Sequence, residues 1–348
     1  MERVDWGQAR ALATKGVPGG ASRGGCSGGS DCGGRAPKAI IRTRNMPASR
    51  ITDLIGNTPL LELSGLNAHY DTRIFAKLES ANPGGSIKDR TALGLVRQAI
   101  HDGDLKPGMT IVESTSGNLG YSLAILAKVY GFNFTCIVDP KTPRNSILFY
   151  EAYGVKIELV DEADPDGGYQ KNRIERAKEI SASDANTINL DQYSNPAAQD
   201  IHYQTTGPEV YQQMDRRINA LVASVSTGSH LSGIARYLKE VDREIKIIAV
   251  EPEGSVVFGG KYRPYKQNGA GLSFKAANYS ADLSDVEIKV GDEEAFSMVQ
   301  EVLDRDALLV GPSSGAALYA AVQYCMQRHD KNPRCVVILP DSGIKYLS

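Results

Sequence analysis

The chain has 348 residues, 41% of them apolar (Ala, Val, Ile, Leu, Met, Phe, Trp, Tyr, Cys), enough for one large α/β unit or two packed lobes. A formal net charge of −2 argues against a protein held to nucleic acid by its charge, and no run approaches the roughly 18 apolar residues that span a bilayer. Five cysteines, Cys26, Cys32, Cys136, Cys325 and Cys335, form neither a CxxC pair nor a zinc spacing, so no metal and a reducing compartment, the cytoplasm, are expected.

Residues 1–47 are rich in Gly, Ala, Ser and Arg, carry Gly-Gly pairs at 19, 24, 28 and 33, and have no apolar period. Such composition predicts disorder. A flexible tail, a targeting segment and upstream sequence ahead of a true start at Met46 all fit. The lack of a signal-peptide apolar core favours the last.

From there strand and helix patterns alternate. Strands are expected near 73–79, 111–115, 133–139, 156–162, 186–191, 220–226, 246–251, 308–311 and 334–339, with helices over 121–130, 169–180, 231–241 and 316–326. This alternation implies an α/β fold with mostly parallel sheets covered by helices.

Four of the strand-to-helix connections carry chemistry. Asn82-Pro83-Gly84-Gly85-Ser86-Ile87-Lys88-Asp89-Arg90 sets one lysine at the mouth of a helix, behind a turn that lets backbone approach a ligand closely. A partly desolvated lysine there can form a Schiff base with a carbonyl, although most such lysines are solvated helix starts. Ser114-Thr115-Ser116-Gly117-Asn118-Leu119-Gly120 offers hydroxyls, an amide and free N–H groups, more polar side chains than a helix cap requires. Ser226-Thr227-Gly228-Ser229-His230 forms a cup of small residues suited to phosphate, unlike either the Walker or the dinucleotide loop. Gly311-Pro312-Ser313-Ser314-Gly315 adds further hydroxyls. Ligands bind beyond the carboxyl ends of parallel strands, so the four loops are expected to share one crevice.

Taken in order, NPGGSIKDR, STSGNLG, DQYSNPAAQDIHYQTTGPE, STGSHLSG and GPSSGAA resemble the cysteine synthase / cystathionine β-synthase family, fold type II pyridoxal-phosphate enzymes. The likeness runs from about Ile51, through Ile55-Gly56-Asn57-Thr58-Pro59-Leu60, to Leu339-Pro340-Asp341-Ser342-Gly343. It implies a smaller lobe of residues 82–194 and a larger one of 48–81 and 195–348, with pyridoxal 5′-phosphate between them. It further implies that Lys88 holds the cofactor and later takes the Cα proton, and that Asn118 bonds the ring's phenolic oxygen. Ser226, Thr227, Gly228, Ser229 and His230 would seat the phosphate, Ser313 would face the pyridine nitrogen, and Thr115, Ser116 and Gln192 would grip an amino-acid carboxylate. A neutral hydroxyl at that nitrogen favours prompt loss of a β-substituent, hence β-replacement. Family members are usually homodimers, so a homodimer is expected. They also normally extend further than Ser348, so a missing terminal segment or a shortened form is expected.

Three departures bear on the second substrate. Leu119 replaces a threonine usual in sulfide-using members; Ser226, Ser229 and His230 stand where those members read Gly, Gly and Thr; and Tyr193 replaces phenylalanine beside Gln192. Added donors suit substrates richer in oxygen than acetate or sulfide. The pattern, with Val256-Val257-Phe258-Gly259-Gly260-Lys261, resembles the branch that joins O-phospho-L-serine to L-glutamate on the route to 2,3-diaminopropionate for siderophores and peptide antibiotics. Arg173 is the candidate clamp for the extra anionic charge, set against the solvated look of its helix face. Cysteine synthase activity with O-acetylserine or phosphoserine is the alternative within the same chemistry, and a cofactor-binding regulatory protein without turnover the alternative outside it.

Overall fold

The computed structural model describes residues 48–164, 168–328 and 333–347; the Gly-rich stretch 1–47 lies outside them. Two sheets organise the chain. The larger has six strands, β1 (Leu60–Glu62), β2 (Arg73–Leu78), β7 (Ala220–Ser224), β8 (Lys246–Pro252), β9 (Val286–Val290) and β10 (Arg334–Leu339), in the order β1-β2-β10-β7-β8-β9. Only β1 runs antiparallel to its neighbour. The smaller sheet, β3 (Thr110–Ser114), β4 (Asn133–Val138), β5 (Lys156–Leu159) and β6 (Thr187–Asn189), has the order β5-β4-β3-β6 and is wholly parallel.

The strand sequences account for this arrangement. Ala220–Ser224 is buried at every position and Cys335 to Leu339 likewise, as continuous apolar runs must be when helices cover both faces. One face of the six-stranded sheet packs on helices Asp292–Asp306 and Pro312–Met326 through Val222, Ile248, Val302, Leu318 and Val337. The other packs on helix Ser229–Val241 through Leu221, Ala249, Ile234 and Val336. Helices Lys88–Asp102, Asn118–Tyr130 and Arg144–Tyr153 cover the four-stranded sheet, with Leu95, Leu123, Phe134 and Tyr150 in that core.

Residues 308–311 are not a strand. Leu308 to Val310 is apolar, yet Val310 makes only an isolated antiparallel bridge to Ser342. The sheet edge is instead closed by β9, whose Val-Glu-Ile-Lys-Val alternation exposes its polar side chains as an edge strand should. Three helices also begin earlier than their apolar period indicates, at Asn118, Ser229 and Pro312, so hydroxyl and amide residues expected in loops occupy first turns. At Pro312 the cause is local: the ring presets φ and its missing N–H falls where a helix has no partner for one.

Parallel strands deliver their following loops to one end of each sheet. The loops after β2, β3, β6, β7 and β10 carry Lys88, Thr115 to Asn118, Gln192 with Tyr193, Ser226 with Thr227, and Asp341 to Tyr346. Ile87 N donates to Pro340 O at 2.9 Å, and Ser86 bridges to Asp341. The lysine turn is thereby stitched to the loop that follows β10.

Candidate active site

Lys88 opens its helix from a turn held by its neighbour. The Asp89 carboxylate, 1% exposed, accepts from Gly84 N at 2.5 Å and from Ser122 Oγ at 2.5 Å. Behind it Arg90 is anchored by Glu79 and Glu209, so the first turn cannot rotate without breaking buried ion pairs. The amine itself is the least constrained part, at 3.3 Å from Thr227 Oγ1 across the crevice. Burial pulls its pKa down to about 8, with Glu113 opposing the shift. Burial, and then Asp191, push the Glu113 carboxyl itself up to about 8. Lys88 thus offers a substantial fraction of nucleophilic amine near neutrality.

Thr227 sits on the rim of the cup that the sequence singles out. Gly228 has φ +85 at the N-cap of helix Ser229–Val241, and a Cβ there would lie 2.5 Å from the backbone of Tyr279. Only glycine closes this turn and leaves the helix N-terminus open to an anion. The Ser226 hydroxyl donates to Gly271 O at 3.3 Å, and Thr227 Oγ1 lies 3.1 Å from Ser229 Oγ. His230 does not line the cavity; its ring lies beside His202, its Nε2 has no partner, and burial, then Lys88, depress it to about 3.

A cavity of about 410 Å³ unites most of the candidates. Lys88, Thr115, Ser116, Asn118, Gln192, Tyr193, Ser226, Thr227 and Arg173 line it. Gly228, Ser229 and His230 lie behind Thr227 and do not, and nor does Ser313, which is 1% exposed in the first turn of its helix. The Ser313 hydroxyl packs beside Gly269, whose loop does line the cavity. A larger, open groove of about 980 Å³ elsewhere contains none of these residues. Chemistry, not size, selects the smaller one.

Arg173 departs from the exposed face its sequence suggests. Neighbours Arg176 and Lys178 face solvent in ion pairs, whereas Arg173 and Ala177, one turn apart, point inward. Arg173 is 6% exposed; its Nε lies 3.2 Å from Asp139 Oδ2 without hydrogen-bond geometry, and Nη1 has no acceptor. Opposite it, Tyr193 is buried against Phe274, and burial pushes its phenol up to about 12. The Gln192 side chain donates to Ser114 O at 3.0 Å, which ties the 191–193 loop to the asparagine loop.

Sequence reasoning missed Lys345 and Tyr346. Both line the cavity from the loop after β10: Lys345 Nζ donates to Asn118 Oδ1 at 2.7 Å, and Tyr346 donates to Asp341 Oδ2 at 2.5 Å. The signal was available, because any loop at the carboxyl end of a parallel strand is a candidate wall. Lys141, Tyr121, Tyr262 and Tyr265 also line the cavity and were not singled out.

A lysine of lowered pKa facing an open helix N-terminus, in a polar cavity where two mostly parallel sheets direct their loops, suits a phosphorylated aldehyde held through an amine. The chain belongs to the pyridoxal-phosphate dependent enzyme family, whose model matches residues 51–341. Members use pyridoxal 5′-phosphate, and the residues here fit it. The chain is 37% identical over 302 residues to the N-(2-amino-2-carboxyethyl)-L-glutamate synthase of Ralstonia nicotianae, covering 87% of this chain and 89% of that one. It is 38% identical over 306 residues to the cysteine synthase of Staphylococcus aureus, covering 87% and 96%. Among solved structures, cysteine synthase from Entamoeba histolytica superposes with a TM-score of 0.82 at 32% identity, covering 90% of this chain and 93% of that one. The chain is therefore a β-replacement enzyme close to cysteine synthases, of the two-sheet fold type II architecture. Among the described residues no helix is long and apolar enough to cross a membrane, and no cluster of His, Cys, Asp and Glu suits a metal.

Proposed function

We propose that the protein joins O-phospho-L-serine to L-glutamate, giving N-(2-amino-2-carboxyethyl)-L-glutamate and phosphate, in a cytoplasmic homodimer that serves 2,3-diaminopropionate synthesis. The Cβ–O bond to phosphate breaks, the glutamate nitrogen forms the new bond to Cβ, and that nitrogen gives up a proton. The cofactor supplies an electron sink for the Cα carbanion. Lys88 anchors it and then holds the Cα proton. Asn118 would hold the ring oxygen, Ser313, behind the Gly269 loop, would serve the ring nitrogen, and the backbone N–H groups of the Ser226 to His230 turn would receive the phosphate. Thr115, Ser116 and Gln192 hold the amino-acid carboxylate.

The observation that carries this reading is Arg173. A guanidinium 6% exposed, with Nε and Nη1 lacking hydrogen-bond acceptors, stands in the cavity wall. Leaving such donors unsatisfied costs roughly 1–3 kcal/mol, more for a charge, unless an anion completes them. Lys345 adds a further cation to a lining in which, among the described residues, Asp139 is the only carboxylate, so the wall suits a dianionic phosphate and a dicarboxylate better than a small sulfide ion. Sulfide as nucleophile is the second reading, favoured by the comparable likeness to the S. aureus cysteine synthase.

Product analysis separates the two. The cofactor-loaded protein given phosphoserine with equimolar glutamate and sulfide is expected to release phosphate together with the glutamate adduct, identified by mass spectrometry. Rapid cysteine formation with no adduct overturns the proposal and leaves the second reading standing.

A further inference from the structure

Asn118 is held by two charged groups from outside its own helix. Lys345 Nζ donates to its Oδ1 at 2.7 Å, and its Nδ2 donates to Asp341 Oδ2 at 2.6 Å. An ammonium has donors only, and this carboxylate oxygen also accepts from Tyr346, so the two partners admit one orientation of the amide and forbid its flip. Asp341 takes one of the two Nδ2 hydrogens, and the second is left for the cavity. The Lys345 ammonium also donates to Gly84 O at 2.9 Å and lies 4.8 Å from the Tyr121 ring centroid. It thus joins the loop after β10 to the turn that presents Lys88.

We propose that Lys345 is a positioning residue: by donating to Asn118 Oδ1 it fixes the amide with an N–H toward the cofactor's ring oxygen, and it sets a positive charge one amide away from that oxygen. The inference rests on the reading of Asn118 given above. The charged and titratable groups facing Lys345 are Asp341, Asp89 and Tyr121; burial lowers its pKa, and Asp341 and then Asp89 oppose the shift. Loss of the ammonium lets the amide rotate to present its carbonyl to an electron-rich oxygen, a repulsive contact in place of a hydrogen bond.

The test is the pH titration of the holoenzyme's visible absorption, with cofactor affinity measured by dialysis, for wild type, Lys345→Arg, Lys345→Met, Asn118→Ala and the Lys345→Met/Asn118→Ala double variant. Removing a charged donor is expected to weaken cofactor binding about tenfold in Lys345→Met. The same change is expected to move the chromophore's apparent pKa by about half a unit or more, since a nearby cation favours the ring oxygen's anion. Lys345→Arg should preserve both within about twofold, because it keeps a charged donor at that position. In the Asn118→Ala background Lys345→Met should move both quantities clearly less than in wild type, with only the through-space charge left to lose, the mark of a residue that acts largely through another. Unchanged titration and affinity in Lys345→Met overturn the inference, as does an effect of equal size with and without Asn118. If Asn118→Ala itself moves neither quantity, the Asn118 reading falls as well. Should Lys345→Met not fold, Lys345→Gln, whose amide can turn either end to Asn118, is expected to give a smaller shift of the same sign, and no shift overturns the inference.

Discussion

Arg90 and Arg173 are both buried, at 1% and 6% exposed, yet their surroundings are opposite. Behind the lysine turn, Arg90 donates through Nε to Glu79 at 2.8 Å, through Nη1 to Glu209 at 2.6 Å, and through Nη2 to both carboxylates and to Thr58. Lys77 completes that cluster, with Nζ bonded to Glu209, Gln213 and Thr58 O. Burial alone raises the Glu79 carboxyl, but Arg90 and Lys77 hold it down to about 2, so it stays ionised. In the cavity wall, Arg173 has one imperfect partner, and the buried Gln267 Oε1 and Ser273 Oγ of the same lining have none. A satisfied buried charge fixes structure, whereas an unsatisfied one is maintained at a free-energy cost that a ligand can relieve.

Breaking the satisfied side should have the largest effect. Arg90→Ala strands two buried carboxylates with Lys77 alone, and an unfolding free-energy loss of about 3–5 kcal/mol is expected in urea titration of the apoprotein. A loss under about 1 kcal/mol would contradict the distinction between the two arginines. Arg173→Leu should do the reverse. Stability is expected to change little, while KM for phosphoserine or glutamate rises about 10–100-fold, the loss of one charged hydrogen bond. An unchanged KM, or destabilisation as large as that of Arg90→Ala, places Arg173 with the structural charges.

Lys88 lies between these regions and inherits from both, since the ionic cluster fixes its turn and the cavity desolvates its amine. Its folded pKa, about 8, lies below the ordinary lysine value of 10.5, so the neutral amine grows as pH rises through 8 and not only near 10.5. The rate of cofactor capture by apoprotein should rise about fivefold from pH 7 to 8 and level off above 9, followed by stopped-flow absorbance. A rise that continues unchanged to pH 10 refutes the lowered pKa. The smallest effect is expected from Ser226→Gly with Tyr193→Phe. Because Ser226 spends its hydrogen on Gly271 O, the pair should weaken glutamate use by only a few-fold, about 1 kcal/mol, and leave cofactor capture unaltered. Equal loss of both functions removes these residues from the second-substrate pocket.

The contrast between the arginines also marks what a sequence can convey. The buried parallel strands were legible from apolar runs, and the lysine, asparagine and cup loops from small and polar residues after them. Arg173 is ambiguous because Glu175, Arg176 and Lys178 surround it, and two inward positions, one of them an arginine, leave little apolar period on a polar helix. Lys345 was hidden differently. Its role depends on contact with Asn118, 227 positions away, and no local pattern encodes such a pairing. The apolar run at 308–310 misled for a related reason, since hydrophobicity reports burial and not the neighbour that completes a ladder. Pro312 draws Ser313, expected in a loop, into the first turn of a helix.

The cavity holds two half-buried lysines, Lys88 and Lys345, and only Lys88 reaches Thr227 of the cup. Borohydride reduction of the cofactor-loaded protein, followed by proteolysis and mass spectrometry, tests most directly which of them anchors the cofactor. A single phosphopyridoxyl group on Lys88, with Lys345 unmodified, is the predicted result. Label on Lys345, or no label on a protein that has bound the cofactor, would contradict it.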